Sequence, residues 1–356
     1  MISLDFSVPY NNDLETLNEV LDLKERSGSK VVEVYLSSPQ EYAGSARITP
    51  ETDLDEFEEV VHKIKDAGLK VNLLLNSTCG GSYWYSEGTI ESKLGYLEDM
   101  HERHGLDAVT VANPIYIEKI NDRLPDLEIC TSVLGEVDSL QRARLFERAG
   151  ADVITPDVNI NRDLDKLKRI SSEIDAKLKL MVNEGCLYKC PNRKFHFNYI
   201  SHKSRELGKT EDDPFFGDCF NVIKNDLSQL LKSCWIRPED LREYTEITDL
   251  FKIVGRARPK SMVLRTLKAY MDGEWDKNLL DIMSSSLYNF SLETGAYIDN
   301  TELEDFFEHI KSCEYKCEDC GYCSDLINKL IEFEVLTEEK KDDLDISSLN
   351  SRRGNV

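Results

Sequence analysis

Cys186 and Cys190 stand four residues apart in the stretch VNEGCLYKCPNRKFHFNYISH (182–202), and Cys219 and Cys234 follow in the same part of the chain. Four soft thiolates suit a tetrahedral zinc ion or a cubane iron–sulfur cluster, since both accept sulfur at every position. The spacing lacks the paired C-x2-C knuckles of compact zinc ribbons, which tilts the reading toward iron–sulfur. A second set is denser. Cys313, Cys317, Cys320 and Cys323 read C-x3-C-x2-C-x2-C, a ferredoxin-like spacing that a four-thiolate zinc site would suit as well. Cys79 and Cys130 stand alone and are expected to be buried free thiols. His196 and His202 could ligate or shuttle protons, but are expected to pack or cap beside the first cysteine pair.

Where these residues meet depends on the elements that carry them. Short β-branched runs at 2–7, 31–36, 70–75, 108–112, 128–132, 152–156, 177–182 and 250–255 alternate with amphipathic helical patterns, several of them closed by glycine. Strict strand–helix alternation implies parallel strands joined by right-handed crossovers. Eight such units, evenly repeated and without G-x-G-x-x-G, favour an α/β fold of the (β/α)8 TIM type over a doubly wound sheet. About 65 residues separate the seventh and eighth strands, far more than an ordinary βα loop. This insertion, 183–249, holds the first cysteine set and places it at the catalytic face of a barrel, where the loops after the strands gather.

Lys252, Arg256 and Arg258 lie at or just past the eighth strand on the same face. Guanidinium forks bind carboxylate or phosphate in bidentate fashion, so a small anionic ligand is expected there, with an ion pair to the acidic insertion as the plain alternative. Tyr10, Tyr35, Asn76, Asn113, Ser132 and Asp157 end other strands and are weaker candidates for the pocket lining. The barrel should occupy residues 1–275. Residues 276–356 form a small cysteine-rich helical extension, whose segment 301–356 carries 15 acidic and 7 basic side chains. Its last dozen residues are expected to be disordered.

Composition removes some classes of function. The chain of 356 residues has 67 acidic against 44 basic side chains, a net charge of −23. That argues against a broad phosphate-tracking surface, because non-specific nucleic-acid affinity comes from Lys and Arg, and leaves open only a small basic patch. No apolar run is long enough to span a membrane and no signal-like N-terminus is present, so a cytoplasmic location is expected. Ten cysteines in such a chain point to metal ligation sooner than to a disulfide framework.

The string SCWIRPEDLREYTEITDLFKIVGRARPKSMVLRTLKAYMDG (233–273) resembles the collagenase-like peptidase family of unassigned catalytic type, the "U-thirty-two" family. Its R-P-x-D-L element matches Arg237, Pro238, Asp240 and Leu241, and its K-I-x-G-R strand matches Lys252, Ile253, Gly255 and Arg256. The resemblance covers roughly residues 1–275. It implies a barrel with cysteines after the seventh strand. Several members look like iron–sulfur proteins that hydroxylate transfer RNA, ribosomal RNA or a quinone precursor without molecular oxygen, and some appear in the family pattern to draw the oxygen from prephenate. By that resemblance Cys186, Cys190, Cys219 and Cys234 would hold a [4Fe–4S] cluster. The chain departs from the pattern twice: Asn183–Glu184–Gly185 replaces a histidine–glycine pair, and Val254 replaces an acidic residue.

Three functions therefore compete. The first is an iron–sulfur oxidoreductase that hydroxylates, or otherwise modifies by redox chemistry, a small anionic molecule or nucleoside, with the C-terminal site relaying electrons where it holds iron–sulfur and not zinc. A peptidase is the second, although no G-x-S-x-G elbow, H-E-x-x-H helix or Cys–His signature appears. The third is a non-catalytic iron–sulfur or zinc subunit that serves a redox partner or a paralogous chain.

Overall fold

In the computed structural model, the described residues are 3–39, 44–47, 52–204 and 213–335. The expected disorder at the C-terminal end falls outside them. Eight strand positions form a ring of parallel pairings: β1 Leu4–Pro9, β2 Ser29–Ser37, β3 Lys70–Leu75, β4 Ala108–Val111, β5 Glu128–Thr131, β6 Val153–Ile154, β7 and β8 Leu250–Lys252. Strand β7 comes in two pieces, Lys177–Leu178 and Leu180–Met181. The first pairs with β6 and the second with β8, and β8 pairs with β1, which closes the barrel. The interruption falls on Lys179, whose N–H still reaches the Ile154 carbonyl at 2.9 Å. The expected TIM-type barrel is therefore the observed fold.

The outer faces of these strands are aliphatic and pack against helices that start on side-chain caps. Asp13, Asp53, Ser86, Asn113, Ser139 and Asp163 each accept an N–H of the first turn, satisfying donors that the helix leaves free. The interior is different. Ser7, Glu33, Asn72, Thr110, Cys130, Lys179 and Lys252 come one each from seven strands, all less than a tenth exposed. Ser7 Oγ donates to Glu33 at 2.5 Å, Asn72 Nδ2 at 3.0 Å, and Lys179 Nζ reaches both carboxylate oxygens at 2.7 and 3.0 Å. Thr110 donates to Asn72, and Asn72 donates in turn to Cys130 Sγ. A polar belt, not a hydrocarbon layer, fills the barrel at this level.

The insertion after β7 carries helices Arg193–Lys203, Pro214–Asn225 and Gln229–Lys232 before a 3-10 segment at Pro238–Tyr244. Beyond helix Lys260–Asp272, the extension adds helix Ser285–Thr294 and a two-stranded antiparallel ribbon, Ala296–Ile298 with Ile331–Phe333. It shares the core of the barrel: one hydrophobic cluster runs from Leu4 through Phe306 and Phe307 to Ile327. Trp235 and Phe306 stack at 5.2 Å, and Arg162 lies over both rings.

Candidate active site at the barrel mouth

The last turns of β2, β7 and β8 bring their polar residues together above the interior belt. Lys252 Nζ lies 3.8 Å from the centre of the Tyr35 ring, and the Tyr35 hydroxyl donates to the Ile253 carbonyl at 2.7 Å. Burial above all, then the charge of Lys179, pushes the Lys252 ammonium down to about 7. Arg256, 7% exposed, gives Nη1 to the hydroxyls of Ser37 at 2.5 Å and Ser45 at 2.7 Å. Among the described residues it has no carboxylate partner. Burial lowers even its guanidinium, to about 10.

Two further arginines reach the mouth, one from a loop and one from the start of helix Arg193–Lys203. Arg47 Nη2 is 3.7 Å from Glu184 Oε2 and lies over the Phe197 ring. Arg193 Nη1 bonds Asp157 at 2.8 Å. Among the described residues the other Glu184 oxygen, Oε1, and Arg193 Nε are buried and lack a close hydrogen-bond partner, with the Cys186 thiol in reach of the Glu184 carboxylate, so each can serve a bound molecule. Arg47, Arg193, Arg256, Lys179 and Lys252 thus face three carboxylates, Glu33, Glu184 and Asp157, among the described residues. In a chain of net charge −23, this pocket is locally basic.

The insertion delivers the thiols. Cys190 and Cys219 share a hydrogen bond that, with the N–H groups of Asn192 and Arg193, holds the Cys190 thiol down at about 6. The same bond, then burial, raises Cys219, which also feels Cys186. Burial and the Glu184 charge raise Cys186. Cys234 is buried elsewhere: its sulfur faces the Asn159 and Lys232 carbonyls, and the charges around it are Arg162, Asp157, Cys313 and Lys189. Cys190 and Cys219 are thus paired, with Cys186 in electrostatic reach of Cys219, but among the described residues no three of these sulfurs lie within 4.8 Å of one another. Cys234 lies apart, in electrostatic reach of Cys313 of the second set. All ten cysteines are free thiols.

Gly185 is fixed by a close approach. A Cβ there would come within 2.1 Å of the Ser284 carbonyl oxygen, so Gly185→Ala must displace the turn that leads into Cys186. We expect that variant to unfold at lower denaturant and to lose mouth function while the barrel stays folded, as read by urea titration beside ligand binding.

The other sequence candidates have varied places. Arg258 turns away to Asn289 and the Ser285 carbonyl. Tyr35 and Asp157 line the mouth. Asn76 accepts the Ala46 N–H, Asn113 and Ser132 cap the helical turns that follow them, and Tyr10 is buried. His196 pairs with Asp213 at 2.8 Å, and its ring stacks with Phe215. Cys130 is buried, but Cys79 is half-exposed and meets His202 Nε2 at 3.3 Å. Arg47, Glu184, Arg193 and the Glu33–Lys179 pair did not emerge from the sequence. The one signal for the pair was a lone charge inside each of two apolar strands, VVEVYL and KLKLMV.

Glu33, Glu128 and Cys130 bring ligand-type atoms within 4.8 Å of one another, but the Lys179 ammonium already fills that position as the counter-charge to Glu33.

The family model for "Peptidase family U32" matches residues 18–278. The chain belongs to peptidase family U32. A relative from Methanocaldococcus jannaschii, "Uncharacterized protease MJ1657", is 30% identical over 335 residues, covering 92% of this chain and 98% of that one. The solved structure titled "The Structure of the U32 Peptidase Mk0906" superposes with a TM-score of 0.54 at 24% identity, over 72% of this chain and 94% of that chain. That likeness is one of fold. The two departures from the family pattern meet in space: Asn183 Oδ1 accepts the Val254 N–H at 2.7 Å, and Asn183 Nδ2 donates to the Val254 carbonyl at 3.1 Å. The amide side chain laces the ends of β7 and β8 together.

No helix among the described residues is long and apolar enough to cross a membrane.

Proposed function

We propose that this U32 member is an iron–sulfur oxidoreductase acting on a small carboxylate-bearing molecule held at the barrel mouth. The observation that carries the substrate class is Arg256, a buried guanidinium whose partners are serine hydroxyls. Among the described residues it has no counter-ion, a buried charge in that state is costly, and an incoming carboxylate offsets the cost with two charge-assisted bonds. Lys252 below and Arg47 beside it extend the same field.

The thiols fit a cluster on two grounds. Cys190 and Cys219 share a hydrogen bond with Cys186 in electrostatic reach of Cys219, and backbone N–H groups of Asn192 and Arg193 reach the Cys190 sulfur, as expected around metal-bound thiolates. Cys234, the fourth ligand by the family resemblance, faces the Asn159 and Lys232 carbonyls and would have to turn its sulfur to join Cys186, Cys190 and Cys219, which would supply three thiolates to a [4Fe–4S] group. Bound there, it would supply one-electron chemistry next to the substrate. The chain's own residues do the rest: Arg256 and Arg47 orient the carboxylate, Tyr35 and Phe197 wall off water, and Lys252 offers a proton at Nζ.

Protein purified without oxygen should contain iron and acid-labile sulfide, and Cys190→Ala should remove the barrel share while leaving the fold intact by circular dichroism. Iron content unchanged by that substitution would count against the barrel ligands. The family name supports hydrolysis as a second reading. Peptide cleavage by protein stripped of all metal would favour it over the redox one.

A further inference from the structure

The second cysteine set lies beyond the residues matched by the family model, which end at 278. Its chain path is bent at two positions of positive φ, Tyr315 at 58° and Gly321 at 64°. Tyr315 follows Cys313 by two residues, and its N–H donates to Cys313 Sγ at 3.4 Å. Gly321 ends the one-turn helix Cys317–Cys320 and starts helix Tyr322–Leu330, so that Cys320 and Cys323 flank the bend. Two such turns bend the eleven residues 313–323 and keep their four thiols in one short segment.

The thiols sense one another there. Cys313 and Cys320 both act on Cys317, and Cys313 and Cys317 both act on Cys323. The barrel provides a positive wall, since Arg162 and Lys232 face the same sulfurs. Arg162 is itself held by the Leu231 and Ser233 carbonyls. Tyr188 of the first cysteine loop stacks on Tyr315 at 4.9 Å, with 9° between the rings, and Cys234 is buried near Cys313.

We propose that Cys313, Cys317, Cys320 and Cys323 ligate a second metal centre, an iron–sulfur cluster of the four-iron class, where the C-terminal segment docks on the barrel insertion. The sulfur spacing does not match a ready-made tetrahedral zinc site and leaves room for a larger cluster. Four thiolates around one zinc ion, with Zn–S of about 2.3 Å, stand about 3.8 Å apart. Among the described residues no three of these sulfurs lie within 4.8 Å of one another, and a cubane, with an iron at the base of each ligand, spreads its thiolates wider. The two flanking cations offset the negative charge of a four-thiolate centre.

Cys317 and Cys320 are exposed, so Cys317→Ala/Cys320→Ala leaves the core untouched, and thermal unfolding serves as the check. In anaerobically prepared protein, this double variant should lose about half of the iron and sulfide and about half of the charge-transfer absorbance, with Cys190→Ala removing the other half. Iron unchanged in the double variant, or stoichiometric zinc that disappears with these two cysteines, overturns the inference. The proposed function is tested separately by Cys190→Ala: iron lost only there keeps the barrel cluster and sinks the second one, and iron lost only in the double variant does the reverse.

Discussion

Replacing Lys179 by methionine should destabilise the protein by about 3–5 kcal/mol at neutral pH, the usual cost of leaving a buried charge without its partner. Glu33 is 3% exposed and Lys179 1%, so water cannot take over the lost contacts. Burial pushes the Glu33 carboxyl up, but the charge and hydrogen bonds of Lys179, with help from Lys252 and Ser7, outweigh that and hold it at about 2. An acid lowered from 4.5 contributes stability that is present above about 4.5 and lost as pH falls toward 2. Without Lys179 burial dominates and the sign reverses: the carboxyl is driven up, and protonation relieves the fold. The gap between Lys179→Met and the parent should therefore narrow as pH falls from 7 to 4. Adding Glu33→Gln should recover most of the loss, since the pair is then removed together. Urea titrations of the three variants at both pH values measure this. A single variant within 1 kcal/mol of the parent at pH 7 would mean the pair is not the keystone of the barrel interior.

This pair also marks what the sequence could and could not disclose. The alternation of apolar runs and amphipathic helices is written locally, so all eight strands were legible, along with the insertion before the last one. Strands buried on both faces lose the alternation that would separate inside from outside, and so nothing marked Glu33 and Lys179 as facing each other across 146 residues. The mouth was half legible. Lys252 and Arg256 sit at a strand end that the fold class itself designates. Arg47 comes from an irregular segment and Arg193 from the first turn of an insertion helix, neither with a periodic signature that points to the mouth, and only closure of the barrel brings them near Glu184 and Asp157. Cys234 shows a similar limit. Sequence order groups it with the insertion cysteines, yet Arg162 grips the carbonyls of Leu231 and Ser233 and holds the segment against the extension, so Cys313 is also its neighbour.

Arg256→Gln should weaken binding of a small carboxylate by roughly 10- to 100-fold, because a hydrogen bond to a charged group is worth about 1.5–3 kcal/mol. Glutamine keeps a donor for Ser37 and Ser45, so the loss reports charge and fork geometry more than packing. Lys252 adds a pH signature. Its ammonium is pushed down to about 7 by burial and by Lys179 and Arg256, against the pull of Glu33 and Cys130, with the Tyr35 ring covering it. Below pH 7 it is charged and reinforces the attraction. Above pH 7 it is neutral, and the anion is held by the arginines alone. Affinity should therefore fall between pH 6 and pH 8, over a range in which the carboxylate itself does not titrate. Lys252→Met should flatten that slope near its high-pH level while Arg256→Gln lowers the whole curve. Calorimetric titration with pyruvate across this range distinguishes the two contributions. Equal affinity of the Arg256→Gln protein and its parent at pH 6 would show that the uncompensated guanidinium is a structural strut and not the seat of the anion.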